Sequence, residues 1–363
     1  MIQQGFRPIH PVRNLGLLVG ALICVAVFGR PSSAQDPKDL KYEWFRRTLD
    51  SLRLEAGIPG MSVAIVENRT IAWASGLGLQ DVEGNVLAKT DTPYVIGSLA
   101  QTLGSTLLLR KCVDQSYLEI NDLVIRWIPY PEPETTVASL LTHSAPDGTF
   151  RYAPSRMSAL TSVFEECAYR RYPQLLAQEL FDLLGMINSV PGQTLSTPTG
   201  DDLELFDAAR LSRYGDILRR TAVPYRVINR RPVRNTEVIP ARIDFAQGVV
   251  STVLDLAQFD TAYDRGFIDP ATRQMALSQA YANGKPLPTG LGWFVQEYNR
   301  EPIAWQFGTV EGAYSSLIVK VPNRDLTMIL LANSDGLSAP FALETGDVTK
   351  SIFARTFLGT FVP

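Results

Sequence analysis

Residues 58–78 read IPGMSVAIVENRTIAWASGLG. Within them 61–67 (MSVAIVE) and 70–78 (TIAWASGLG) are apolar runs rich in β-branched residues, linked only by Asn68-Arg69. Such side chains suit the pleated, half-buried surface of a strand, and a two-residue link closes an antiparallel pair. The stretch predicts a β-hairpin. Just before it, Gly57-Ile58-Pro59-Gly60 ends a polar, helix-compatible entry over 40–56.

Strand patterns return only in the last third of the chain, as GLGWFVQEY, IAWQF, YSSLIVKV and LTMILLAN. Pro322-Asn323-Arg324-Asp325, between the last two, supplies a turn. The middle reads as helices. Residues 98–112 (SLAQTLGSTLLLRKC) are apolar almost all round, which implies a buried helix. Shorter helices are expected over 136–141, 157–169 and 174–184, with prolines between them. Residues 248–263 form another amphipathic pattern, with Ser251 or Thr252 at its start and Asp255 in its first turn. A final helix is expected over about 347–358. Strands at both ends with helices between imply an α+β fold, an antiparallel sheet built by the two termini around an inserted helical lobe. The sheet part would cover about 40–95 and 285–363, the helical lobe about 96–284.

The first 34 residues stand apart. Arg7 and Arg13 precede an uncharged run of 14 residues, 15–28, and then small residues at Ser32 and Ala34. This pattern is that of a secretory signal peptide cut after Ala34, since about 20 apolar residues are needed to span a bilayer. An uncleaved anchor is the alternative. Cleavage removes Arg7, Arg13 and Arg30 and leaves 31 basic against 37 acidic residues, a net charge of about −6. A domain of that charge is not built for nucleic acid or anionic lipid. The mature chain of 35–363, in the periplasm or secreted, keeps one histidine, His143, and two cysteines, Cys112 and Cys167. That is too few ligands for a metal centre, and no cofactor motif is present. In an oxidising compartment the cysteines either pair or stay as two buried thiols.

Gly97-Ser98-Leu99-Ala100-Gln101 opens the buried helix. Ser98 with Gln101 three residues on has the spacing of a capping box, in which the two side chains satisfy each other's backbone N–H groups. The same spacing carries a second meaning. Taken in order, residues 58–78, VASLLTHS, LFDLLGM, GVVSTVLDLAQF and EGAYSSLIVKVPNRDLTMILLAN resemble the serine β-lactamase and penicillin-binding-protein family. The likeness is to its class C β-lactamase, D-alanyl-D-alanine carboxypeptidase and esterase branch.

That resemblance places the family's Ser-x-x-Lys on Ser98 to Gln101, its Tyr-x-Asn on Tyr152-Ala153-Pro154, and its cationic third motif on Gln306-Phe307-Gly308. Serine, tyrosine and glycine remain, while the lysine, the asparagine and the third-motif cation are replaced by Gln101, Pro154 and Gln306. A serine hydroxyl needs a base or nearby cation to become a nucleophile, and a glutamine amide is neither. The family's oxyanion donors, here the backbone N–H groups of Ser98 and Thr309, need no particular side chain. His143 corresponds to a supporting position rather than a reacting one. Trp305, Phe307, Tyr152 and Tyr314 are placed to line a groove between lobe and sheet. The resemblance thus implies a non-catalytic or very weakly catalytic member that binds a peptide, cell-wall fragment or protein partner. Two alternatives are a structural remnant and a serine hydrolase of esterase, D-aminopeptidase-like or carboxypeptidase-like type. The hydrolase would use Ser98 with Tyr152 and a base not evident in the sequence.

Overall fold

The 58–78 stretch pairs with itself as β1 (Gly60–Glu67) and β2 (Thr70–Asp81). Asn68 and Arg69 have φ of 52° and 62°, the left-handed pair that lets a two-residue turn match the twist of the strands it joins. The structure is a computed structural model and describes residues 37–363; the expected signal segment and its cleavage point lie outside the described residues.

Five more strands complete an antiparallel sheet: β3 (Val86–Leu87), β4 (Phe294–Tyr298), β5 (Glu301–Val310), β6 (Tyr314–Val321) and β7 (Leu326–Ala332). Their order is β4-β5-β6-β7-β1-β2-β3. The two ends of the chain meet where β1 pairs with β7, from Met61 opposite Ala332 to Glu67 opposite Leu326.

Period-two alternation splits β1 between two cores. Met61, Val63 and Ile65 face one layer, formed by α1 (Pro37–Glu55) and, from the far end of the chain, the helix Ile352–Phe361. Phe45 meets Phe361 edge-on there at 5.1 Å between ring centres. That last helix begins at Ile352 rather than at Asp347. Asp347 caps a short turn over Val348–Lys350, and Ser351 then caps the helix itself.

Ala64 and Val66 face the other way, into a core shared with the helical part of the chain. It takes in α2 (Ala100–Leu108), α3 (Val137–Leu141), Met157 at the end of α4 (Pro154–Met157) and α5 (Val253–Asp264). Thr252 caps α5 through the Asp255 N–H. This helix falls inside the 96–284 span read as the lobe, yet it packs on β1, β2 and β7 as a layer of the sheet. Cys112 and Cys167 are bonded, with Cα atoms 6.3 Å apart, and tie the end of the α2 segment to the helix Leu160–Ala168. Closing a 55-residue separation stabilises by about 4 kcal/mol in the chain-entropy description. The helices Gly200–Leu205 and Ala208–Arg219 and the hairpin Tyr225–Ile228/Arg231–Arg234 had no clear signature in the sequence.

Candidate active site

Ser98 lies inside a single 3₁₀ turn, Gly97–Leu99, that feeds directly into α2. The capping box is not formed. The residues preceding the two helical segments, Ile96 and Leu99, are already helical in backbone and neither start has a side-chain cap, whereas a capping serine needs an extended backbone. Two glycines seat the turn against the sheet. Gly97 has φ +56°, and a Cβ on it would lie 3.0 Å from the Thr309 nitrogen of β5. A Cβ on Gly308 would lie 2.0 Å from the Ile96 carbonyl oxygen. Only bare backbone permits this approach, which brings Ser98 beside Thr309.

Gln101 is fully buried, and its side chain turns inward rather than back to its helix terminus. Its Oε1 is 3.1 Å from His143 Nε2 and accepts from Gln306 Nε2 at 3.4 Å. The Ala153 N–H donates to His143 Nδ1 at 3.2 Å. Because Nδ1 accepts there, the neutral ring carries its hydrogen on Nε2 and donates it to Gln101. Burial pushes the His143 pKa down to about 4, so the ring is neutral at physiological pH. With Oε1 held twice, Gln101 Nε2 is buried and closes no hydrogen bond of normal geometry, although the Gln101 side chain lies near enough to the Tyr152 hydroxyl to act on it.

Tyr152 is delivered by the loop that returns from His143. Arg151 N–H donates to the His143 carbonyl at 2.8 Å, and Ser144 bridges to Phe150. His143 itself holds φ of 54°, an uncommon conformation for a non-glycine residue. The Tyr152 ring packs 4.7 Å from the His143 ring, 5.3 Å from Phe307 and 5.6 Å from Phe294. Burial raises the Tyr152 pKa well above its ordinary value; Ser98 and Gln101 nearby pull it the other way, and the Glu344 carboxylate raises it further. Its hydroxyl is buried and closes no hydrogen bond of normal geometry.

Ser98, Gln101, Tyr152 and Gln306 therefore assemble from three segments, with the Gln101 Oε1 shared by His143 and Gln306. Gln306 is buried, accepts the Phe307 N–H at 2.9 Å and reaches the Gly292 carbonyl at 3.5 Å. Pro154 stands behind Tyr152 at the first position of α4, where a helix leaves its N–H unpaired in any case. Arg156 pairs with Glu132 at 2.7 Å and Arg151 with Asp147 at 2.9 Å; Lys111 pairs with Glu179 at 3.3 Å. Gln101 carries no titratable group, both ring nitrogens of His143 are engaged, and burial favours the protonated form of Tyr152. A positioned base is worth roughly 10²–10⁴ in rate.

Ser98 is half-buried and opens onto a cavity of about 280 Å³. Thr309, Val310 and Glu311 wall one side, Gln193, Ile239 and Gln247 another. The aromatic groove does not form. Trp305, Tyr314 and Phe307 are buried at 0 %, 4 % and 5 % exposure: Trp305 and Phe307 belong to the core beneath the sheet, and the Tyr314 hydroxyl donates to the Ala222 carbonyl. A larger cleft, about 490 Å³ between segments 134–148 and 275–291, lies apart from Ser98. The resemblance gave His143 a supporting position; that it supports Gln101, 42 positions away, is visible only in the tertiary contact.

A family model described as Beta-lactamase matches residues 45–348. Teichoic acid D-alanine hydrolase of Staphylococcus aureus (strain MRSA252) is 29% identical over 133 residues, 35% of this chain and 32% of that protein. The matched part thus spans about a third of the length of the curated relative. The octameric penicillin-binding protein homologue from Pyrococcus abyssi superposes with a TM-score of 0.68 at 19% identity, covering 88% of this chain and 77% of that one. D-alanine carboxypeptidase AmpC from Burkholderia cenocepacia gives 0.67 at 20% identity, over 89% and 99%. Among the described residues, no helix is long and apolar enough to cross a membrane.

Proposed function

The chain belongs to the beta-lactamase family, and from that premise we propose that it is a ligand-binding member whose Ser98 does not form an acyl-enzyme. The observation that carries this reading is the Gln101 side chain, buried where the resemblance expects a lysine and tied to a neutral His143 and to Gln306. A site so wired can orient a carbonyl at the Ser98 and Thr309 backbone. It has nothing to receive the serine proton. The relatives named for D-alanine hydrolysis and D-alanine carboxypeptidase activity suggest a short acyl or D-alanyl peptide as the kind of ligand, met outside the cytoplasm by a chain processed after Ala34.

Intact-protein mass spectrometry after incubation with a fluorophosphonate, and separately with a penicillin, tests the reading. Wild type is expected to stay unlabelled, with Ser98→Ala as control and Gln101→Lys as the attempted restoration. A stoichiometric wild-type adduct that disappears in Ser98→Ala would overturn it and favour the hydrolase alternative.

A further inference from the structure

The Ser98 cavity has an unusual charge balance for a site of this ancestry. Glu311 is the one charged residue among those that line it. The two positions where the resemblance expects cations carry the neutral amides of Gln101 and Gln306, and the imidazole joined to them is neutral as well. Resting on the reading of this cavity as a ligand site, we infer that it selects ligands carrying an ammonium group over ligands ending in a carboxylate, with Glu311 as the specificity-determining residue.

The backbone that carries Glu311 is fixed, while its side chain is exposed at the rim. It follows β5 directly, and the next residue, Gly312, is fixed from both sides. The Gly312 N–H donates to Asp335 Oδ2 at 2.8 Å, and Asn235 Nδ2 donates to the Gly312 carbonyl at 2.8 Å. The surroundings add negative rather than positive charge. Asp335, from the separate turn that follows β7, bonds to Gly312, and the Glu344 carboxylate acts on the buried Tyr152 hydroxyl. The arginine nearest the turn, Arg226, stacks its stem against Gly312 but is paired with Glu237 at 2.7 Å.

A carboxylate entering this cavity gives up its hydration and meets no cation in return, which is costly. An ammonium group meets Glu311. Because Glu311 is exposed at the rim, solvent screens the attraction, and the preference is expected to be roughly three- to fivefold.

Three probes separate these cases: D-alaninamide, N-acetyl-D-alaninamide and N-acetyl-D-alanine, positive, neutral and negative in turn, the last two alike in size and the first differing from them by the acetyl group. They are titrated by NMR at low salt and about pH 6, below the α-amino pKa, into wild type, Glu311→Gln and Glu311→Lys. The expected order for wild type is positive, then neutral, then negative. Glu311→Gln should erase the step between positive and neutral, Glu311→Lys should reverse the order, and added salt should compress it. Binding without that order, or an order that Glu311→Gln leaves unchanged, overturns the inference while the binding reading stands. Failure of all three probes to bind any of the proteins overturns both.

Discussion

Two buried polar clusters lie along the same sheet, and they are built on opposite terms. One surrounds Gln101, with His143, Gln306 and Tyr152: no member is charged, and Gln101 Nε2 and Tyr152 Oη lack partners. The other surrounds Lys320 on β6, whose Nζ donates to Asp260 Oδ1 at 2.9 Å, Asp264 Oδ2 at 2.6 Å and Thr327 Oγ1 at 3.4 Å. Lys320 is fully buried; burial opposes its charge, but the two α5 carboxylates more than offset that and raise its pKa. The chain therefore does contain an interior lysine. It lies four residues along β6 from Ser316, which bonds the turn carrying Ser98 through the Ile96 carbonyl, or about 13 Å at strand rise. Lys320 clamps α5 to the sheet and is spoken for. The difference teaches that buried charge persists here where carboxylates neutralise it and no cavity reaches it, whereas beside the cavity the interior has been made neutral.

The sharpest way to break this contrast is Lys320→Met. Removing the cation leaves Asp260 and Asp264 buried together, and the expected loss is about 3–5 kcal/mol of unfolding free energy by denaturant titration near neutral pH. A loss below about 1 kcal/mol would show the cluster to be solvated, and the two regions would no longer differ in kind.

His143 sharpens the other side through pH. Its pKa is about 4 in the folded chain against 6.5 for the free side chain. As pH falls between these values the unfolded chain takes up a proton that the native chain refuses, so stability falls with pH. Relative to His143→Gln, which cannot titrate, wild type should lose on the order of 3 kcal/mol from neutrality down to about pH 4. Equal pH slopes for the two proteins would mean that the ring is not held neutral.

The smallest effect belongs to Ser98→Ala. Its hydroxyl caps nothing and the residue is half-exposed to the cavity, so the melting transition should move by no more than about 0.5 kcal/mol in equivalent stability. A larger loss would make Ser98 a structural member of the Gln101 cluster and blur its boundary with the cavity.

Much of this fold is legible in the amino-acid sequence. The hairpin at Asn68-Arg69, the strands from Tyr314 to Ala332 and the entry helix all follow from local pattern, because period-two or helical burial and tight-turn chemistry are properties of adjacent residues. The small hairpin Tyr225–Ile228/Arg231–Arg234 was not readable, since it pairs with no other strand and three of its four positions on the second strand are arginine or proline. The candidate site was half readable. Ordered motifs pointed to Ser98, Tyr152 and Gln306, which the structure brings near Gln101, but the local capping pattern at Ser98 and Gln101 pointed the glutamine the wrong way.

What the amino-acid sequence settled by itself is composition at each motif: two amides where cations were expected, a single histidine beyond residue 34, and a hairpin that commits the chain to a terminal sheet. What only the tertiary structure decided is direction. Gln101 faces inward because His143 and Gln306, 42 and 205 positions away, occupy its oxygen, and His143 holds its proton on Nε2 because the Ala153 N–H has taken Nδ1. A side chain's orientation and tautomer are chosen by its hydrogen-bond partners. When those partners are distant in sequence and close in space, local pattern carries no record of them.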